Sequence, residues 1–255
     1  MLTRRESKLL RGLHQRRVRE AEGAFLVEGI RAVEDLLASR LGVRFLAWSS
    51  SLEDSERGRD LLADAERRGV ALHELPAAEL ADYAGTETPQ GVVAVADAPR
   101  WTLEDLYSPA LPAVVLVLDA VQDPGNFGTM TRTAEALGAA GVLALPGTVD
   151  AWNPKAVRAA MGSSFRLPVV AAGWDEAAPW LEREGYVVLA SVVGAPPVGP
   201  DRPERAALVV GNEGAGVSAE TRTRAAREVG IPLRGRAESL NVGSAAAILL
   251  HELLR

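Results

Sequence analysis

Two patterns alternate along this chain: apolar positions at helical spacing, and short unbroken apolar or β-branched runs. Residues 3–20 set Leu9, Leu10, Leu13 and Val18 as a thin apolar stripe, which predicts a helix stopped at Gly23. Residues 25–27 then predict a short strand, and residues 30–39, with Val33, Leu36 and Leu37 on one side, a second helix. Strand-like runs at 43–48 and 70–75 enclose a charged helix at 55–68. Pro76 can open a further short helix, and the turn signal Thr88-Pro89-Gln90-Gly91 leads into a β-branched strand at 92–96. Strand and helix alternating in this way describe a small α/β domain over residues 1–97.

The pattern breaks at 98–112, where Pro99, Pro109 and Pro112 interrupt any periodicity, and this stretch reads as a linker. Beyond it, 113–118 is an apolar strand of the kind buried on both faces of a parallel sheet. A loop at 119–128, a helix at 129–137 and a strand at 142–145 follow. Asn153-Pro154 opens a helix to 160, with proline at a first-turn position where its missing N–H costs nothing. Strand 167–171, helix 174–184 and strand 186–191 precede a Pro/Gly-rich loop at 194–203. Strand 207–210, helix 218–228 and a strand end at Ile231-Pro232 then lead to a helix entered at Ser239-Leu240-Asn241. That last helix is small in its first turns and apolar nearly all round afterwards, so it is expected to be buried. Residues 113–255 therefore predict a second α/β domain, its sheet mostly parallel with helices on both faces.

Composition narrows the chemistry. There is no cysteine, and His14, His73 and His251 lie far apart, so neither a disulfide frame nor a metal site is expected. No apolar run approaches the roughly 20 residues of a membrane span, and the reading is of a cytoplasmic protein without membrane attachment. The net charge of −6 argues weakly against nucleic acid, but residues 1–20 hold seven bases against two acids. Arg4, Arg5, Lys8, Arg11, Arg16, Arg17 and Arg19 are either a phosphate-contacting arm or the solvated face of an amphipathic helix.

Three loops share one design, an apolar strand followed by glycines and carboxamide or carboxylate residues and then a helix. They are 119–128, 211–216 and 231–241, and in a parallel sheet all three fall on the carboxyl edge, where ligands bind. The glycines at 211, 214 and 216 do not have the spacing or the early position of a dinucleotide fingerprint, and no phosphate loop of the GxxxxGK[ST] type is present. A dehydrogenase-type enzyme is accordingly disfavoured.

The segments NFGTMTRTAEALGAAGV (126–142), LVVGNEGAGVS (208–218) and IPLRGRAESLNVGSAAAILLHEL (231–253) resemble, in order and spacing, the three motifs of the SpoU (TrmH-type) RNA 2′-O-ribose methyltransferases of the SPOUT superfamily. PKAVRAAMGSSFRLPV (154–169) resembles the helix between the first two motifs. FLVEGIRAVEDLL (25–37) and TPQGVVAV (88–95) resemble the L30e-like RNA-binding domain of many ribosomal-RNA members. The resemblance implies a deep trefoil knot in residues 113–255, homodimerisation through that domain, and S-adenosylmethionine as cofactor. It places Ser191, Gly211, Asn212, Glu213, Gly214, Ile231, Pro232, Leu240 and Asn241 at the cofactor. By the same resemblance Arg132, Asn126, Glu213, Ser239 and Asn241 are the catalytic and substrate-positioning set. The implied activity is methyl transfer to a ribose 2′-hydroxyl of RNA, with 23S ribosomal RNA favoured by the L30e-like half. Two alternatives are a tRNA ribose methyltransferase and a catalytically inactive RNA-binding protein of ribosome assembly.

Overall fold

The computed structural model describes residues 1–86 and 88–255. It divides into two compact units, residues 1–100 with 152–166, and residues 101–151 with 167–255.

The first unit begins with α1 (Arg4–Gly12) and α2 (Arg16–Glu22) where one continuous helix was expected. The break falls at 13–15. Gly12 gives little helical drive, and a Cβ there would lie 2.9 Å from Val18 Cγ1, so the glycine lets α2 fold back against α1. The expected stop at Gly23 is present, with φ at +57°. Then come β1 (Ala24–Glu28), α3 (Ile30–Ala38), β2 (Val43–Trp48), α4 (Glu56–Arg67), β3 (Ala71–Glu74), α5 (Ala77–Ala81) and β4 (Val92–Asp97). The four strands form one sheet in the order β1-β4-β2-β3, antiparallel except for the β2–β3 pair. Strand alternation splits its side chains into two cores. Phe25, Val27, Leu46, Val92 and Ala94 pack with Val33, Leu36 and Leu61 on one face. Leu26, Phe45, Ala47, Val93 and Val95 pack with Leu10, Leu13 and Leu80 on the other.

The second unit contains β5 (Ala113–Asp119), α6 (Pro124–Leu137) and β6 (Gly141–Ala144) before the chain re-enters the first unit as α7 (Pro154–Ala160). The sequence pattern alone places α7 in the second domain. Its Val157 and the nearby Phe165 instead join the core of Phe25 and Val27, and Arg158 pairs with Glu28 at 3.4 Å. The second unit resumes with β7 (Val169–Ala171), α8 (Trp174–Arg183), β8 (Val187–Ser191), β9 (Arg205–Gly211), α9 (Ala219–Arg224), β10 (Arg227–Val229) and α10 (Val242–Leu254). Its six strands run β10-β8-β9-β5-β6-β7, and every neighbouring pair is parallel. All seven residues of β5 are buried, as a central strand covered on both faces requires. Trp174, Trp180 and Leu181 of α8 cover one face of the sheet, while α10 packs on β5 and β9 and against α6, which lies over β6.

Five expectations shift in this unit. Residues 101–108 are not a bare linker: Leu106 is fully buried in the core of α8, and its carbonyl accepts from Tyr186 Oη at 3.2 Å. α6 starts at Pro124 rather than 129, because Asp123 caps it and proline occupies its first turn. The tenth strand ends at Val229, so Ile231 and Pro232 lie beyond it, and the helix expected at 218–228 stops at Arg224. α10 is only half covered. Ala246, Leu249, Leu250 and Leu253 are buried, and Ile248 on the other side is 38% exposed.

Candidate active site

The carboxyl edge of the parallel sheet brings the polar loops together, because β5 and β9 are neighbours with Asp119 opposite Gly211. Glu213, in the loop after β9, reaches across to the loop after β5. Its carboxylate accepts from the backbone N–H of Asp123 at 3.2 Å, that of Gln122 at 3.4 Å, and Asn126 Nδ2 at 3.0 Å. Asn126 Oδ1 in turn accepts from Asn241 Nδ2 at 3.1 Å. Asn241 caps α10, its Oδ1 accepting from the N–H groups of Gly243 and Ser244. One chain of hydrogen bonds therefore joins Glu213, Asn126 and Asn241, one residue from each of the three loops. Burial alone would push the Glu213 carboxyl up. The donors on Asn126, the Glu213 backbone, Asp123 and Gln122 together outweigh it and hold the carboxyl below its usual range.

The loop after β9 is fixed by its own chemistry. Asn212 Oδ1 accepts from the N–H groups of Gly214 and Ala215, and its Nδ2 donates to Ala120 O at 2.9 Å. Backbone bonds between Asn212 and Gly216 close the turn. A Cβ on Gly211 would lie 2.1 Å from the Gly216 carbonyl carbon, so only glycine fits where the loop folds onto the strand. Asp119, which the sequence reading did not single out, is the anchor below. It is 5% exposed and accepts from Ser218 N at 2.7 Å and from Thr221 Oγ1 at 2.6 Å. Its one sequence signal is an acid closing a seven-residue apolar strand.

Beside this network, the ends of β8 and β10 and the start of α10 enclose a pocket lined by Ser191, Gly230, Ile231, Ser239 and Leu240. Gly230 admits the crossing of two segments there, since a Cβ would lie 2.6 Å from Ala195 O and 2.7 Å from Val192 O. Val193, Leu233 and Leu240, also on its wall, are among the large apolar side chains the unit leaves exposed, at 67%, 37% and 38%. Apolar walls, two serines and accessible backbone suit a flat heteroaromatic ring with polar edges. Of the residues expected at a cofactor, Ser191, Ile231 and Leu240 line this pocket, with Pro232 exposed beside Ile231. Gly211, Asn212, Glu213 and Gly214 build the adjoining loop, and Asn241 stands in the hydrogen-bond chain. Ser239 faces the pocket rather than the chain. Arg132 is exposed on α6 and makes no side-chain hydrogen bond or ion pair with any described residue. Its guanidinium is available to a ligand.

Residues 113–251 match the SpoU rRNA Methylase family. The chain belongs to that family. Residues 5–94 match the MRM3-like substrate binding domain. Among relatives of this SpoU protein is the 23S rRNA (guanosine(2553)-2′-O)-methyltransferase RlmP of Bacillus subtilis, 39% identical over 94% of this chain and 92% of its own length. The 23S rRNA (uridine(2479)-2′-O)-methyltransferase of Streptomyces viridochromogenes is 33% identical over 95% and 86%. Among solved structures, the SpoU methyltransferase AviRb from Streptomyces viridochromogenes in complex with AdoMet superposes with a TM-score of 0.87 at 30% identity, covering 99% of this chain and 97% of that one. An AdoMet-bound rRNA methyltransferase from Sinorhizobium meliloti gives 0.86 at 30%, over 99% and 95%.

In the first unit the basic residues part ways. Arg19 is 5% exposed, and its Nη1 donates to Leu13 O at 2.7 Å, so it serves packing. Arg16 pairs with Glu20 at 2.7 Å, and Arg11 lies over the Tyr83 ring at 5.6 Å. Arg4, Arg5, Lys8 and Arg17 stay exposed.

Proposed function

We propose that this SpoU protein methylates a ribose 2′-hydroxyl of 23S ribosomal RNA, with S-adenosylmethionine as donor. The observation that carries the reading is the hydrogen-bonded union of Glu213, Asn126 and Asn241 beside the pocket of Ser191, Ile231 and Leu240. The pocket walls would hold the adenine, and the loop Gly211–Gly214 with Asn241 the rest of the cofactor. The bound cofactor would supply an electrophilic sulfonium methyl, taken in line by the ribose 2′-oxygen as the thioether, S-adenosylhomocysteine, leaves and the hydroxyl proton passes to solvent water. Arg132 grips an RNA phosphate and offsets the charge that develops on the 2′-oxygen. Its role is electrostatic stabilisation of the developing charge rather than proton removal. Glu213 fixes Asn126 by accepting from its Nδ2, and Asn241 fixes the opposite end of the same carboxamide. Asn126 is thus held in one orientation for the ribose, with Ser239 on the pocket side.

The first unit binds RNA and the second carries the transferase chemistry, with a homodimer formed through the latter and a cytoplasmic place of action. The half-exposed face of α10 at Ile248 supports the dimer. A trefoil knot is supported by the loop at 192–204. Its start touches Gly230, whose N–H donates to Pro196 O at 2.7 Å, and its Arg202 donates to the carbonyls of Glu252 and Arg255. One loop holding both ends of the last segment fits threading.

The test is labelled S-adenosylmethionine incubated with unmodified 23S rRNA and, separately, tRNA. Label is expected in the ribosomal RNA, as 2′-O-methylribose. Label in neither pool overturns the enzyme reading, and label in tRNA alone overturns the ribosomal substrate. Arg132→Ala should lower transfer by about 10²–10³-fold while leaving cofactor affinity and thermal midpoint unchanged.

A further inference from the structure

The first unit carries a feature that the carboxyl-edge chemistry does not use. Between α1, α2 and the start of β2 runs an open groove of about 860 Å³. Five cations line it, Arg5, Lys8, Arg11, Arg17 and Arg44, against two acids, Glu6 and Glu22. Glu6 is already engaged, accepting from the Thr3 N–H and hydroxyl as the capping box of α1. Arg44 was not singled out from the sequence because it sits in a strand far from the basic N-terminus. Its Nε donates to Asp97 Oδ1 at 2.7 Å and its Nη2 to Glu22 O at 2.8 Å, which sets its orientation at the groove. Arg5, Lys8 and Arg17 make no side-chain hydrogen bond or ion pair with any described residue.

The lining also says what the groove does not read. Its one aromatic, Phe45, is 3% exposed, so no base can stack there. Gln15 is the only neutral amide side chain on the wall. Arg5, Lys8 and Arg11 rise along one helix by about 9 Å, the length of roughly three stacked nucleotides. On a chain of net charge −6 this concentrates positive potential in one concave place.

We infer that this groove holds the sugar–phosphate backbone of RNA through Arg5, Lys8, Arg17 and the pre-set Arg44, without reading bases. The inference rests on the methyltransferase reading for its substrate class and deepens it by assigning where and how the first unit grips RNA. An acidic protein segment is the competing occupant, and the repeated cation spacing along α1 favours the phosphate chain.

The experiment uses the full chain and fluorescent 20-mers of polyuridylate and polyadenylate, titrated by anisotropy across salt. The two RNAs should bind within about 3-fold of each other. The variant Arg5→Ala/Lys8→Ala/Arg17→Ala should flatten the slope of log K against log salt by about 2, at ~0.7 per lost contact on a single strand. In methyl transfer the same variant should raise KM for rRNA at least 10-fold, with kcat and cofactor affinity unchanged. Glu22→Lys should steepen the slope and tighten binding. An unaltered slope and KM in the triple variant overturns the groove. So does a preference above 30-fold for one RNA, or equal binding of a 20-residue polyglutamate. Wild-type protein that shows this salt signature but transfers no methyl group would sink the enzyme reading and leave the groove standing.

Discussion

The two units handle polar groups in opposite ways. In the groove of the first, cations stand in solvent with few fixed partners, and their effect is summed charge. At the carboxyl edge of the second, Glu213, Asn126, Asn212 and Asn241 are held by neighbours at hydrogen-bond distance, and glycines close the spaces between the loops. A charged surface tolerates loss of a member in proportion to its charge. A hydrogen-bonded network does not, because each group orients the next. The contrast fits a division in which one unit holds a long polyanion loosely and the other places one oxygen and one methyl group closely.

The sharpest way to break this comparison is Gly211→Ala. The added carbon would meet the Gly216–Val217 backbone at 2.1–2.2 Å, so the loop carrying Glu213 must move. Calorimetry should find cofactor binding abolished, with a stability loss of about 1–3 kcal/mol from overpacking. Retained cofactor affinity would mean that the loop is not part of the cofactor site. Next in size is a pair within the first unit. Arg19→Ala leaves the Leu13 carbonyl without its buried donor and should cost about 1–3 kcal/mol in denaturant unfolding. Arg17→Ala, on the exposed side of the same helix, should stay within about 0.5 kcal/mol. Equal effects would erase the distinction between packing and binding arginines. The smallest effect concerns pH. The Glu213 carboxyl is held below its usual range, so its ionised form contributes stability above the ordinary carboxylate pKa, and that contribution fades as pH falls through the lowered value. Thermal midpoints of wild type and Glu213→Gln should therefore differ at neutral pH and converge in acid. Parallel curves down to pH 2 would show that Glu213 is not held as described.

Much of the fold was legible wherever one local rule dominated. β2 spans the expected residues 43–48, and α7 begins at Asn153-Pro154 as its capping pair demands. The errors lie where local signals conflict. Pro124, Gly125 and Gly128 read as loop formers, but Asp123 caps them into α6, so half of the apparent ten-residue loop is the start of a helix. The sequence pattern extends one helix over 218–228, yet parallel pairing with β8 draws Arg227–Val229 into the sheet. The three polar loops of the site could be found from pattern alone. Their partnership could not, since it depends on β5 and β9 being neighbours. Asp119 and Arg44 escaped for a related reason, each being an ordinary charged residue made special by what packs beside it.

The bond between Asn241 and Asn126 spans 115 residues of chain. A ribosome adding about 5–20 residues per second separates the two in synthesis by about 6–23 s. Once residue 166 has completed the first unit, the nascent chain can present the proposed basic groove while the site that would act on RNA still lacks its third loop. A newly made copy can therefore hold RNA before it can modify it, and its first catalytic turn waits on the last strand and helix to dock.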